Sequence, residues 1–193
     1  MGNSPIIAGI DEVGRGALAG PVVACACVCS KATWQGFRER IADSKMLMPE
    51  EREEGFAYFT TRCPYGIGMA EAPVIDRVGI LTATEQAMQE AVRELSKLVE
   101  PTYLLIDGRD KFWFDFPHSS IIEGDRKEEC IAAASIIAKV VRDRFMTEQD
   151  RRFPGYGFAE HKGYGTPAHL RELRERSLCP LHRHTFIGTL QPA

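Results

Sequence analysis

The 193-residue sequence predicts an α/β fold: a mixed central sheet flanked by helices, with a small helical extension at the C-terminus. Apolar segments of strand character alternate along the chain with segments of helical periodicity. The first two predicted strands are joined by a short, glycine-rich link, which favours antiparallel pairing. After Phe153 the sequence becomes rich in glycine, proline and aromatic residues, which indicates a loop-rich extension.

Five short segments have the composition of strands, and three of them end in acids. The predicted strands cover residues 6–11, 21–29, 65–70, 103–108 and 119–125. Asp11 and Glu12 follow the first of these strands, Asp107 ends the fourth and Asp125 ends the fifth. Because ligands gather where the ends of strands meet in an α/β sheet, these acids predict a shared carboxylate site.

Four longer segments are predicted to be helices, over residues 48–63, 80–99, 127–149 and 167–177. The segment 80–99 has the clearest pattern, since its apolar residues recur every three or four positions. Pro101 lies just beyond it, where a helix is expected to have ended.

Composition and charge exclude several classes of protein. The chain has no apolar stretch long enough to span a membrane and no visible signal peptide, so we expect a cytoplasmic protein. The six cysteines include no Cys-x-x-Cys pair, which disfavours zinc and thioredoxin-like sites. They are expected to be small core residues, with a soft-metal site as the alternative.

Charge is distributed unevenly along the chain. The net charge is −3, but residues 139–184 contain ten basic and six acidic residues, a balance of +4 that leaves −7 for the remainder. One interpretation is that the acidic part of the chain holds a metal site and the basic segment forms a phosphate-binding surface beside it. The alternative is that two solvent-exposed faces simply differ in composition, which would give the same charge distribution.

The predicted carboxylate site is expected to hold metal ions. At ~5 Å and an effective dielectric of ~20, each pair of like charges costs about 3 kcal/mol, which two divalent cations would neutralise. Oxygen ligands favour Mg²⁺ or Mn²⁺, and two such ions promote phosphoryl transfer. The Gly14-Arg15-Gly16 turn directly after Asp11 and Glu12 lets backbone approach a phosphate. Adjacent residues of a regular strand point to opposite faces of the sheet. The strand must therefore twist or end near Asp11 and Glu12 if both side chains are to reach one site.

A set of motifs resembles the ribonuclease HII family, the type 2 ribonucleases H. They occur in the family's order from residue 8 to residue 186, and their combination is highly specific. The matching strings are Asp11-Glu12-Val13-Gly14-Arg15-Gly16, Asp43-Ser44-Lys45, Leu105-Ile106-Asp107-Gly108, Gly124-Asp125, Ala132-Ala133-Ala134-Ser135-Ile136-Ile137-Ala138-Lys139, Arg142-Asp143, His161-Lys162-Gly163-Tyr164-Gly165-Thr166 and His182-Arg183.

The resemblance implies a ribonuclease H-like catalytic domain over residues 1–150 and a substrate-binding extension over residues 151–193. It implies that two Mn²⁺ or Mg²⁺ ions are bound during catalysis by four catalytic acids: Asp11, Glu12, Asp107 and Asp125. The implied substrate-binding residues are Gly14, Arg15 and Gly16, which would read the 2′-hydroxyl of the ribonucleotide, and Tyr164, which would pack on the next sugar. Further candidates for substrate contact are Lys45, Lys139 and Arg183.

The implied activity is hydrolysis of the RNA strand of RNA–DNA hybrids. It includes cutting on the 5′ side of a single ribonucleotide in duplex DNA, leaving a 3′-hydroxyl and a 5′-phosphate. We expect a monomer that does not bind membranes. The chain departs from the family at Glu123, where a lysine is usual, and at Arg126, where a small residue is usual. Two alternatives are a related nuclease that needs several consecutive ribonucleotides and a catalytically weakened module that only binds hybrids.

Several other polar and aromatic residues have simpler interpretations. Asp143 is expected to form an ion pair on a helix surface. Three histidines, His161, His182 and His184, are expected to contact phosphate or cap helices rather than bind zinc. Trp34 and Trp113 are expected to pack against the protein rather than to stack on bases.

Overall fold

The computed structural model describes residues 5–39 and 47–188 and confirms the mixed sheet. The motif that includes Lys45 therefore lies outside the described residues. The sheet has the strand order β3-β2-β1-β4-β5. The β1–β2 and β2–β3 pairs are antiparallel, whereas the β1–β4 and β4–β5 pairs are parallel. The strands are β1 Ile7–Val13, β2 Val22–Cys27, β3 Tyr65–Ala70, β4 Tyr103–Asp107 and β5 His118–Ile121.

The helices include all four that the sequence predicts. Those four are α2 Pro49–Thr60, α4 Ile80–Ser96, α5 Glu129–Arg152 and α7 Pro167–Glu175. Four shorter helices were not predicted, because each spans too few turns to show a clear periodicity. They are α1 Lys31–Arg38, α3 Ala72–Val78, α6 Phe158–His161 and α8 His184–Ile187. Among the residues described, no helix has the length and hydropathy needed to cross a membrane.

The sheet is sandwiched between α4 on one face and α5 on the other. Ile10, Ala24 and Ile106 pack with α4, whereas the alternate residues Cys25 and Cys27 pack beneath α5. These buried cysteines confirm the prediction of small core residues, and all six cysteines are free thiols.

Helix α5 lies unusually close to β1 because residue 9 is a glycine. A Cβ atom on Gly9 would lie 2.3 Å from the Cys130 carbonyl carbon and the Ile131 nitrogen. This close approach brings the first turns of α5 over the middle of β1. The residues that follow in β1, Asp11 first, are therefore covered by the same helix.

The aromatic residues divide between core and surface. Trp34 stacks on Phe59, with ring centroids 5.6 Å apart, which confirms its predicted packing role. The same prediction is wrong for Trp113, which is 62% exposed. Its backbone makes two hydrogen bonds to helix α4: the Trp113 N–H donates to Glu85 and its carbonyl accepts from Gln89.

A cluster of buried histidines forms the core of the C-terminal segment. The rings of His161 and His169 stack with centroids 4.3 Å apart, and Nε2 of His169 lies 3.2 Å from Nε2 of His182. Phe158 packs edge-on against His161 and His169. The prediction of surface roles is therefore wrong for His161 and His182, which are buried, whereas His184 is exposed at the start of α8.

Burial makes this cluster sensitive to acid. Burial first, and the charges of neighbouring histidines second, together lower the pKa of both His169 and His182 from 6.5 to about 4. Neutral imidazoles therefore stabilise the fold above the ordinary pKa of 6.5, and this stability is lost as the pH falls towards 4.

We predict that the stability difference between the wild type and a His169→Gln variant depends on pH. From pH 7.5 to pH 5, the wild type should lose about 2 kcal/mol of unfolding free energy relative to the variant, because only the wild type has this buried imidazole to protonate. Urea unfolding at both pH values measures the difference, and the exposed His184→Gln is the control. A difference that does not change with pH would contradict the prediction.

Candidate active site

Two of the predicted acids lie side by side on neighbouring strands. The parallel register pairs Ile10 of β1 with Ile106 of β4, so its continuation by one residue places Asp11 beside Asp107. Both side chains lie on the sheet face that α5 covers, because residues of the same parity share a face. Asp11 is only 7% exposed and accepts a hydrogen bond from Ser135 of α5.

Burial is the main perturbation of the two carboxyl groups on β1. Burial raises the pKa of Asp11 to about 8, the Ser135 hydrogen bond opposes this rise, and the negative charges of Glu12 and Asp107 add to it. Burial also raises the pKa of Glu12, although Arg15 partly offsets the rise. A partly buried group of oxygen ligands with this electrostatic cost fits a divalent cation, which would stabilise the charged forms.

Glu12 is held by the arginine of the turn. Strand β1 ends at Val13, one residue beyond Glu12, which agrees with the expectation that the strand ends near this point. Nη1 of Arg15 lies 3.0 Å from Oε1 of Glu12 and donates a hydrogen bond to it. The same nitrogen lies 2.8 Å from Oδ2 of Asp110, so Arg15 bridges two carboxylates. Asp110 was not predicted from the sequence as a partner of Arg15.

Asp125 is placed differently from the prediction. Strand β5 ends at Ile121, so Asp125 does not end a strand but lies exposed on a single 3-10 turn, Gly124–Arg126. The Gly124 N–H donates a 2.6 Å hydrogen bond to Oδ1 of Asp107, which fastens this turn to the end of β4.

The two residues that depart from the family pattern pair with each other. Nη1 of Arg126 lies 3.1 Å from Oε1 of Glu123, and both side chains are exposed. The negative charge of Glu123 is thus offset locally by the cation three residues later.

Asp11, Glu12 and Asp107 are brought within electrostatic reach of one another, and Gly124 links Asp125 to Asp107. The side chains of Asp11, Glu12 and Asp107 accept hydrogen bonds from protein groups. Within residues 5–39 and 47–188, no group of three or more His, Cys, Asp or Glu side chains has an arrangement suited to a metal ion.

Two buried arginines shape the loop after β1. Arg183 donates to the carbonyls of Gly14, Arg15 and Gly20 over 2.7–3.0 Å. Arg142 of α5 donates to the carbonyls of Pro21, Lys162 and Ala19 over 2.9–3.2 Å. Both residues are completely buried, and within the described part of the chain neither is paired with a carboxylate. Burial accordingly lowers the pKa of Arg183 to about 10 and also lowers that of Arg142.

The placement of Arg183 differs from its predicted role. Its guanidinium is enclosed by loop carbonyls, so in this structure it has no surface with which to contact a substrate directly. Arg142 donates hydrogen bonds to carbonyls of the same loop from helix α5. This role was not predicted from the sequence. No local signal marked it, because the charged residues Lys139, Asp143 and Arg144 lie on both sides of Arg142 in α5.

The two glycines of the turn have different surroundings. Gly14 has a φ of +95°, and a Cβ atom there would lie 2.2 Å from Nε of Arg142. Gly16 is exposed, and a Cβ atom there would meet no protein atom within 4 Å. The turn is therefore packed against the protein at Gly14 and open at Gly16.

Tyr164 and Lys139 lie close together beside this loop. The Leu18 N–H donates to the Gly163 carbonyl at 2.8 Å, which brings the half-buried Tyr164 near the turn. Nζ of Lys139 is 6.0 Å from the centre of the Tyr164 ring. Lys139 also pairs with Asp143 at 2.9 Å, which confirms the predicted ion pair of Asp143 on the helix surface.

Comparisons with known proteins agree on one family. The family model for Ribonuclease HII matches residues 8–189. A Ribonuclease HII of Geobacter metallireducens is 48% identical over 184 residues, covering 94% of this chain and 84% of the relative.

Solved structures have the same fold. Ribonuclease H2 from Pyrococcus horikoshii superposes with a TM-score of 0.76 at 25% identity, covering 95% of this chain and 96% of that one. Bst-RNase HIII, solved in complex with Mn²⁺, superposes with a TM-score of 0.66 at 20% identity, covering 81% of this chain and 59% of that one. This chain therefore belongs to the ribonuclease HII family, metal-dependent endonucleases that hydrolyse the RNA strand of RNA–DNA hybrids.

Proposed function

We propose that this chain cuts on the 5′ side of a ribonucleotide, including a single one within duplex DNA, and leaves a 3′-hydroxyl and a 5′-phosphate. The observation that carries the proposal is the adjacency of two elements. Asp11 and Asp107 lie in matching register on β1 and β4, and the turn that follows β1 is open at Gly16. An acidic site and a backbone surface open to a ligand thus lie within a few residues of each other.

The proposed metal ligands are Asp11, Glu12, Asp107 and Asp125, which would hold two Mn²⁺ or Mg²⁺ ions. Such ions supply activation of water and stabilisation of the leaving oxygen. The buried, mutually repelling carboxyls support this assignment, since cations would relieve the repulsion. Asp125 is exposed on its turn, and the Gly124–Asp107 hydrogen bond anchors it beside the other acids. Glu12 would exchange its Arg15 partner for a metal ion.

The turn is proposed to read the sugar of the ribonucleotide. Only a ribonucleotide offers a 2′-hydroxyl, which backbone groups of residues 14–16 would recognise without regard to base sequence. Arg15, which would then keep only Asp110 as a carboxylate partner, would face the negatively charged backbone of the substrate. Tyr164 would pack on the next sugar, and Lys139 beside its ring would contact phosphate.

The C-terminal segment is proposed to be the substrate-binding extension, spanning residues 151–193 and packed on a catalytic domain of residues 1–150. Backbone hydrogen bonds between this segment and the loop after β1 support the proposed packing of the extension on the catalytic domain. Arg183 would act within it as a positioning residue for the turn rather than as a phosphate ligand. We further propose that the chain acts in the cytoplasm as a monomer.

The central prediction is cleavage of a DNA duplex that contains one ribonucleotide. With Mn²⁺ or Mg²⁺ present, the chain should cut this duplex once, on the 5′ side of the ribonucleotide, and should leave an all-DNA duplex intact. Asp107→Asn should reduce cleavage by at least 10³-fold, because one of the charges that hold the cations is lost, while hybrid binding persists. Gel-resolved cleavage and a hybrid-binding titration measure the two effects.

The outcomes of this assay separate the alternatives. Cleavage of long hybrids without cleavage at a single ribonucleotide would favour the nuclease that needs consecutive ribonucleotides. Hybrid binding and metal-dependent thermal stabilisation without cleavage would favour the weakened binding module. Full activity of Asp107→Asn would remove Asp107 from the catalytic set.

The two glycines of the turn provide a matched pair of variants. Gly16→Ala should lower kcat/KM for the single-ribonucleotide duplex by at least tenfold without changing the melting temperature, because its methyl group meets substrate but no protein atom. Gly14→Ala should lower the melting temperature, because its methyl group meets Arg142 and its positive φ strains the backbone. Wild-type kcat/KM in Gly16→Ala would contradict the proposed position of the substrate.

A further inference from the structure

Three cysteine thiols meet where β2 leaves the sheet, away from the proposed active site. The thiols of Cys27 and Cys29 both lie close enough to the sulfur of Cys63 to interact with it, and Sγ of Cys29 also lies 3.6 Å from the Ser30 carbonyl oxygen. Residue Cys25 of β2 pairs with Asp11 of β1, whereas Cys27 pairs with Gly9. Cys29 lies two residues beyond the end of β2, further from the acids, and the proposed reaction uses none of these three thiols.

The sheet register places Cys29 directly opposite Cys63. Strands β2 and β3 are antiparallel, and Cys27 pairs with Tyr65. The Val28 N–H donates a 3.0 Å hydrogen bond to the Pro64 carbonyl, which continues the ladder by one residue. Its next step brings Cys29 opposite Cys63. Val28 makes one hydrogen bond to Pro64, which has no N–H to return a second, so the extended register beyond β2 and β3 makes Cys29 and Cys63 a non-hydrogen-bonded pair. Opposed residues in such a pair typically have Cα atoms about 4.5 Å apart.

This geometry selects one cysteine pair for a disulfide. A disulfide requires Cα atoms roughly 4.4–6.8 Å apart, which directly opposed residues satisfy without movement of the backbone. Cys27 is the diagonal neighbour of Cys63, and diagonal Cα atoms lie about 7–8 Å apart, beyond that range. Cys27 can therefore interact with Cys63 but is poorly placed to bridge with it.

The surroundings favour a thiolate at Cys63. Interactions with the Cys27 and Cys29 thiols and the nearby Arg62 cation lower the pKa of Cys63, while Cys29 keeps its proton because its own pKa is raised. Cys63 is buried except for 6% of its surface, and Cys29 is half-buried. A thiolate with some exposure beside a second thiol is the arrangement in which cysteine oxidation ends in a disulfide.

We propose that Cys29 and Cys63 form a redox-active pair, which a peroxide oxidises to an intramolecular disulfide. The Cys63 thiolate attacks one peroxide oxygen, the O–O bond breaks, and a sulfenic acid and hydroxide form. The Cys29 sulfur then attacks the Cys63 sulfur, the S–O bond breaks, and the departing oxygen takes up the Cys29 proton. In total, two thiols lose two electrons and two protons, and hydrogen peroxide is reduced to two molecules of water.

The disulfide would join the chain on either side of residues 30–62, which include α1 and α2. Closing this loop restricts the unfolded chain, and the folded pair already has a suitable separation. The oxidised protein should therefore melt at a higher temperature than the reduced protein, and dithiothreitol should reverse the shift.

The test uses the intact wild-type chain. After treatment with hydrogen peroxide, free thiols are alkylated and the protein is digested without reduction for mass spectrometry. The expected result is one linked peptide pair containing Cys29 and Cys63, in a protein that remains a single chain on non-reducing gels. Cys29→Ser should abolish both the link and the rise in melting temperature, whereas Cys130→Ala, which changes a thiol near Cys29, should retain both.

Three results would overturn the proposal. The first is full retention of six alkylatable thiols after oxidation. The second is a link from Cys63 to Cys27, or from Cys29 to Cys130, in place of the Cys29–Cys63 link. The third is a Cys29–Cys63 link that joins two chains rather than one.

Discussion

The loop after β1 depends on two guanidinium groups that are buried without carboxylate partners in the described part of the chain. Arg142 reaches the loop from α5, and Arg183 reaches it from the C-terminal segment. A buried cation is costly unless its donors are satisfied, and here backbone carbonyls satisfy them. Each hydrogen bond to a charged group contributes roughly 1.5–3 kcal/mol, so the carbonyls of residues 14–21 are held in one arrangement. That arrangement sets the position of Arg15 and the exposure of Gly16.

The acids beside this loop destabilise the fold, whereas the hydrogen bonds of the two arginines stabilise the loop. Asp11 and Asp107 lie in matching register under α5, where burial and mutual repulsion raise the pKa of Asp11. Such a pair destabilises the metal-free fold, and the surrounding protein compensates through Ser135, Gly124 and the Arg15 bridge. Carboxylates that lower the stability of a fold in this way are typical of functional sites rather than of structural ion pairs.

Local patterns predicted much of the fold and part of the site. The bounds of β3 were predicted correctly, and Asp11 and Asp107 were located because alternation and strand ends are local signals. Asp125 was placed on a strand because the apolar run before it does not reveal where β5 stops. The roles of Arg142 and Arg183 were missed because their carbonyl partners in the loop after β1 lie more than 100 residues away in sequence. The buried histidines were missed for a similar reason, since polar residues in a basic tail resemble a surface.

An Arg183→Lys variant tests whether Arg183 positions the turn after β1. Lysine keeps the charge but cannot donate in a fixed fork to the carbonyls of Gly14, Arg15 and Gly20. We predict that kcat/KM for hybrid cleavage falls by at least tenfold, in a variant that circular dichroism shows to be folded at the assay temperature and that Mn²⁺ stabilises as much as the wild type. Wild-type kcat/KM in that folded variant would contradict the account.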